Sequence, residues 1–414
     1  MLRGEGMPMT RSSIAFVCGL LFAIVACQTY GKNRQEGASQ TAMQLPSSLE
    51  KKLRQAQPGD IVRASDFSLD DVPLLDYNKK SSGPPMVFSD DPEYFRVPEG
   101  AGVREVVGGG HVRLYLYHVN ATTDTAKRIS AVIENLGDKP LTLTFERYAS
   151  RGPSADYYKV GKSGLIEYLS GTHLPDPIVV PVRGAAPIDI RLDKQAVRYD
   201  ELVHGFYDFH IDQPARITTL ITSLDTPSTV ANARIGNVLP PRKASGAGRG
   251  LYPTTTFAIT PAGGRPYDTA DGPRQILIAD GKHDPWITGH DSSRNTSCTL
   301  AGNYGVIYNI SIPFRCSDGR GIVVGTWYPP SGKKWCDACA LAVKVNSGAF
   351  EGGVIPIPRG ATSFSGRDAI GIIQRYDPGN EGSGTIEITY SPPGASCLPT
   401  PLLLLPISKG ESQK

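Results

Sequence analysis

Residues 306–314 read Val-Ile-Tyr-Asn-Ile-Ser-Ile-Pro-Phe, with Val306, Tyr308, Ile310, Ile312 and Phe314 at every second position. Successive side chains of a strand point to opposite faces, so this spacing gathers five apolar groups on one side of a sheet. A helix would scatter them around its axis. The stretch therefore reads as a half-buried strand. Its neighbours repeat the pattern at 322–328, 340–345, 353–357, 370–374 and 385–390, and Leu402–Leu405 forms a last short apolar run between prolines.

Upstream the same period returns. Val112, Leu114, Leu116 and His118 alternate in His111–His118, with Tyr115 and Tyr117 on the opposite face, where exposed rings would suit glycan stacking. Ile129, Ala131 and Ile133 alternate next. A Gly137-Asp138-Lys139-Pro140 turn follows, then Leu141, Leu143 and Phe145, a pattern that predicts a hairpin. Further strands are expected at 178–182, 188–192, 203–211 and 216–224. Helices are expected only at Ser48–Gln55 and at Ala155–Ser170, the second weakened by Gly161 and Gly164. The 45 Gly and 34 Pro residues suit many short strands joined by turns.

At 414 residues the chain is long for one ordinary domain. An irregular Pro/Gly-rich stretch near 236–270 suggests a linker between an N-terminal β-sandwich at 86–235 and a cysteine-containing one at 271–408. The polar segment 27–85 reads as a tether. The expected class is thus all-β, with two sandwiches. The segment "VIENLGDKPLTLTFE" (132–146) resembles the hairpins of immunoglobulin-like bacterial envelope modules, and that resemblance implies immunoglobulin-like domains.

Residues 1–26 have the shape of an export signal: Arg3 and Arg11 ahead of an apolar stretch from Ser12 to Ala26. At about 15 residues the stretch falls short of the roughly 20 that span a bilayer. Ile24-Val25-Ala26-Cys27 resembles a bacterial lipobox. The resemblance implies a lipoprotein whose Cys27 carries the acyl chains that replace the removed helix as anchor. The whole pattern is similar to exported, β-rich bacterial envelope lipoproteins, which implies a location outside the cytoplasm, held to a membrane, and no particular activity.

Of seven cysteines Cys18 lies in the signal and Cys27 is the expected anchor; the remaining five, Cys298, Cys316, Cys336, Cys339 and Cys397, all fall in the second half. Outside the cytoplasm such clustering points to disulfides, with one thiol left over. Spacing does not decide the pairs; Cys298 with Cys316 and one bridge to Cys397 are the first to expect. Trp335-Cys336-Asp337-Ala338-Cys339 resembles the active-site motif of thioredoxin-like oxidoreductases. That chemistry needs a helix behind the first cysteine, whereas Ala340–Val345 reads as strand.

Two other constellations carry ligand-type or acid–base groups. His283-Asp284 and His290-Asp291 recur seven residues apart in a loop. His204, Asp208, His210 and Asp212 would share one face of an alternating strand. Both are more simply solvated surface than a site. Nucleophile elbows, zinc-helix motifs, phosphate loops and calcium loops are not found in the sequence, so no catalytic residue, metal ligand or cofactor is expected. The 43 basic and 40 acidic residues nearly balance, with no basic aromatic stripe, which excludes nucleic acid as an implied partner. The expected function is a lipid-anchored, non-catalytic binding or structural module for an envelope protein or glycan. The alternative is an exported enzyme, either a thiol–disulfide oxidoreductase at Cys336/Cys339 or a metal-dependent hydrolase.

Overall fold

The structure, a computed structural model, describes residues 43–123, 125–242, 247–329, 336–348, 352–377 and 382–409. The signal, Cys27 and Trp335 lie outside them. Strands make up 46% of the described residues and helices 11%, so the class is all-β in the main, as the alternation predicts. Among the described residues no helix is long and apolar enough to cross a membrane.

Two pairs of sheets enclose two cores. The first pair sets a four-stranded sheet (Ala185–Pro187, Lys127–Asn135, Ala215–Ser223, Gly100–Val107) over a nine-stranded one centred on Gly110–Asn120, Leu202–Ile211 and Leu141–Ser154. Val112, Leu114, Leu116, Leu143 and Phe209 meet Ile129, Ile133 and Ile217 between them. The second pair joins a five-stranded sheet (Ile61–Arg63, Ala369–Tyr376, Gly321–Trp327, Thr400–Ile407, Arg274–Ile278) to a seven-stranded one containing Ile307–Arg315. Ile310 and Ile312 of that strand lie in the core, as do Ile388 and Leu404.

Several expectations need correction. The strands Lys127–Asn135 and Leu141–Ser154 do not pair as a hairpin: one belongs to the four-stranded sheet and the other to the nine-stranded sheet. The turn is an arch between sheets, held by Asn135, whose Nδ2 donates to the carbonyls of Lys139 (2.7 Å) and Val180 (3.1 Å). Alternation fixes which face is apolar but not which neighbour supplies the ladder. Parallel pairings, Met86–Ser89 with Gly110–Asn120 and Thr256–Pro261 with Ile307–Arg315, also depart from the antiparallel immunoglobulin sandwich.

The segment 27–85 is not a tether from residue 43 onward. Helix α1, Ser47–Gln55, matches the expected helix. It buries Leu49 and Leu53 on the outer face of the five-stranded sheet against Val323, Ile370 and Leu405. Ile61–Arg63 pairs with Ala369–Tyr376. Nor is 236–270 a linker, since Arg249–Tyr252 lies in the nine-stranded sheet beside Met86–Ser89 and Thr256–Pro261 in the seven-stranded one. The described residues fall in one compact unit.

Helix α2, Tyr157–Ser170, lies between the halves. Asp156 caps its start by accepting from the Lys159 amide (2.9 Å), and Gly171 ends it at φ 60°. The two glycines that weaken it as a helix are required by its packing. A Cβ at Gly161 would sit 2.1 Å from the Gly394 carbonyl oxygen, and one at Gly164 would sit 2.3 Å from the His204 ring. The same helix covers the second face of the nine-stranded sheet. Tyr115 and Tyr117 are therefore buried, 1% and 3% exposed, and do not offer a stacking surface.

The halves are also tied by one buried arginine. Arg113 on Gly110–Asn120 makes a bidentate pair with Asp208 on the adjacent strand, 2.7 and 2.9 Å. Its remaining nitrogen donates to the carbonyl of Thr255 (2.6 Å) and to that of Gly305 (3.4 Å), both outside the first sandwich. Tyr168 of α2 completes the group by donating to Asp208 (2.7 Å). Removing one member of a buried pair leaves the other charge unsatisfied, at about 3–5 kcal/mol. Arg113→Ala is expected to lower unfolding stability in urea by that amount. The double variant Arg113→Met/Asp208→Leu is expected to regain most of it. A single-variant loss below about 1 kcal/mol, the level of surface pairs, would show that the arginine does not hold the seam.

Candidate functional site

Where Met86–Ser89 ends, the chain turns through Asp90, a cis Asp91–Pro92 bond and Glu93 before Tyr94–Phe95 rejoins the sheet. Beneath the turn runs a chain of hydroxyls. Ser89 Oγ is 2.7 Å from His118 Nε2 and 2.6 Å from Thr219 Oγ1, and His118 Nδ1 lies 3.0 Å from the Pro92 carbonyl. A carbonyl only accepts, so Nδ1 carries the proton and Nε2 accepts from Ser89. Burial pushes the His118 ring down to about 3, so it is neutral. This is the contact a nucleophilic serine makes with its base. Ser89, His118 and Thr219 are all completely buried, however, and Phe95 stacks on the ring at 4.4 Å. The buried chain of Thr219, Ser89 and His118 therefore holds the turn.

The carboxylates above it are the less settled groups. Asp90 Oδ1 is buried with no hydrogen-bond partner. Burial, then the charges of Glu93 and Asp91, push its carboxyl well above the usual range, against a smaller opposing pull from Arg242. Burial raises Glu93 too, while Arg242, 3.8 Å away, lowers it. Asp91 accepts from the Arg242 amide (2.7 Å), and its own carbonyl accepts from Arg249 (3.0 Å). The phenols of Tyr115, Tyr117 and Tyr304 are each raised first by burial, with the Asp90 charge among the further causes. A carboxyl that keeps its proton can donate as well as accept a hydrogen bond, and Arg242, half-exposed over the Tyr94 ring at 5.5 Å, adds a cation at the edge. The set suits recognition of polar groups at the seam.

The expected constellations are dispersed. Asp284 is fully buried, taking the Tyr308 hydroxyl and the Ala279 amide (2.8 Å) and pairing with Lys79, while His283 pairs with Asp280 at 2.8 Å. Asp291 is held by Arg249 (2.8 Å) and Arg294 (2.7 Å), and His290 is exposed. His204 is buried on the Leu116 carbonyl and Asp208 belongs to Arg113. His210 is exposed, packing edge-on to His111, and Asp212 accepts from the Thr142 amide. Among the described residues no three His, Cys, Asp or Glu groups gather as metal ligands.

Cys336 is bonded to Cys397, not to Cys339. The strand Leu341–Val345 follows the motif where a redox site would need a helix. Cys298 and Cys316 are not paired with each other; both are half-buried thiols, raised by burial. Cys339 is a buried thiol pushed up to about 12, again by burial. Sequence reasoning passed over Ser89, Asp90, Glu93 and Arg242, and read His118 only as one position of an alternating strand face. The only signal was the acidic run Asp90-Asp91-Pro92-Glu93 between two strands, which has the look of an exposed turn.

No family model matches the chain, and no curated protein does. Among solved structures, it aligns with a Lactobacillus farciminis oxalate decarboxylase in a formate complex at 12% identity, over 79% of this chain and 86% of that one, with a TM-score of 0.13. A Momordica charantia 7S globulin aligns at 9% identity over 74% and 70%, TM-score 0.11. A Bacillus subtilis oxalate decarboxylase aligns at 9% over 80% and 79%, TM-score 0.12. Scores this low carry no argument for fold or function.

Asp90 provides a test of the site. A carboxyl raised in the folded protein contributes stability that is complete below its ordinary value of 3.8 and is lost as pH rises through the folded value. Asp90→Asn keeps the shape and removes the ionisation. It is expected to melt above the wild type at neutral pH, with the gap closing as pH falls toward 4. Equal melting temperatures across that range would mean that Asp90 is not held in a charge-hostile setting.

Proposed function

We propose that this is a lipid-anchored cell-envelope protein, tethered through Cys27, whose β-rich unit is a non-catalytic binding or structural module for a protein or polysaccharide partner outside the cytoplasm. The observation that carries the location is the Cys336–Cys397 disulfide, whose two residues are 7% and 0% exposed and 61 residues apart in sequence. Disulfides persist in oxidising compartments, and closing a loop of that length removes about 4 kcal/mol of entropy from the unfolded chain. It agrees with the export signal and lipobox read from residues 1–27. Binding is supported by the seam turn, where Asp90 Oδ1 has no internal partner and Glu93 and Arg242 lie beside it.

The anchor is tested by fractionating cells that express the native chain or Cys27→Ser. The native protein is expected in the membrane fraction, with an N-terminal mass that includes acyl chains on Cys27. The variant is expected to lose both. A native protein recovered soluble, or cleaved elsewhere with an unmodified cysteine, would overturn the reading.

A further inference from the structure

The Cys336–Cys339 motif has a role left over once the disulfide is assigned, because its second cysteine stands beside the bond. The Cys339 thiol points at the Cys397 carbonyl, 3.5 Å away. The flanking backbone is laced to the same segment: the Cys397 amide donates to the Ala338 carbonyl (3.1 Å) and the Ala340 amide to Ser396 Oγ (3.3 Å). On its other side Cys339 exchanges both backbone hydrogen bonds with Phe364, at 2.8 Å each. Cys339 and Cys397 thus sit side by side on adjoining segments, and Cys397 is already bonded to Cys336, three residues upstream of Cys339.

We propose that Cys397 is the shared partner of two mutually exclusive disulfides: Cys336–Cys397, present in this structure, and Cys339–Cys397, reached by internal exchange. In the step, Cys339 gives up its thiol proton and its thiolate attacks Cys397 Sγ. The Cys336–Cys397 bond breaks as the Cys339–Cys397 bond forms, and Cys336 leaves as a thiolate that takes up a proton. One S–S bond and one S–H bond are present before and after, so no oxidant or reductant is consumed. Attack falls on Cys397 because the polar contacts of Cys339 and its neighbours run to residues 396–397.

Burial restrains the exchange. A thiol pushed up to about 12 supplies almost no thiolate at neutral pH, so the first pairing persists while the segment stays packed. That segment belongs to the seam: the Gly394 amide donates to the Tyr115 hydroxyl (2.9 Å), and Tyr304 donates to the Ser396 carbonyl (3.2 Å). Loosening the seam therefore frees the sulfur to react. Exchange keeps residue 397 stapled and releases Cys336, the less buried of the two motif cysteines at 7% against 1%. The released thiol is open to modification only in the exchanged form.

The test is non-reducing peptide mapping of the full chain, with free thiols blocked before digestion in acid. Wild type is expected to give the Cys336–Cys397 pair. Folded Cys336→Ser, purified under air, is expected to show a complete shift of the Cys397 peptide onto Cys339. Wild type held in mild urea at alkaline pH and then blocked is expected to convert in part, labelling Cys336. This arm decides the matter if the variant does not fold. Cys339 and Cys397 both free in folded Cys336→Ser, or a Cys336–Cys339 pair in the urea-treated wild type, would overturn the proposal.

Discussion

Arg113 is the constraint on which the rest of this architecture depends. A guanidinium only 3% exposed must satisfy its donors inside the protein, and the acceptors come from three places: Asp208 on the next strand, and the carbonyls of Thr255 and Gly305 in the other half. A displacement of one sandwich against the other would strand a charge in a low-dielectric interior. Apolar packing along the same seam is tolerant of small slips, since it is non-directional. The buried ion pair is not tolerant, so it sets register where hydrophobic burial sets only proximity. Lys162 acts in the same way from α2, donating to the carbonyls of Pro358 (3.0 Å) and Ala361 (2.5 Å).

The second face of the nine-stranded sheet shows why much of the fold was legible and part of it was not. Alternation at 112–118 correctly places Val112, Leu114 and Leu116 in a core. The opposite face carries tyrosines and an arginine, which would suit water equally well, and only the arrival of α2 and the C-terminal half buries them. Strands 306–314 and 385–390 and the two longest helices, α1 and α2, were readable because each is determined by its own residues, whereas the short helices Ile190–Asp193 and Ser228–Arg234 were not. The arch at 135–141, the sheet position of 249–252 and the integration of 43–85 depend on partners more than a hundred residues away in several cases, such as Arg249 against Ser89. Local pattern contains no information about such partners.

The candidate site was illegible for a related reason. Asp90-Asp91-Pro92-Glu93 has turn composition, and in most proteins such a run is solvated. Here Arg249 reaches under it to the Asp91 carbonyl, and Arg242 returns from beyond position 240 to donate its amide to the Asp91 carboxylate and pair with Glu93. Most of the histidines and aspartates that did stand out were absorbed into buried contacts and ion pairs, while His210 and His290 stay exposed. A residue type that can bind a ligand can equally satisfy a buried amide or guanidinium, and in a chain with this many buried polar groups the second use dominates.

The cysteines join these two themes. Their clustering in the second half announced a staple, but the selection of Cys397 by Cys336 follows from how segments 338–340 and 396–397 run together, which no spacing encodes. The bond closes its loop next to Gly394, the residue whose carbonyl meets Gly161 of α2 and whose amide meets Tyr115. The same short segment thus carries the covalent staple and a close backbone approach to α2. The seam is the part of this molecule where a buried ion pair, a disulfide and close packing lie together.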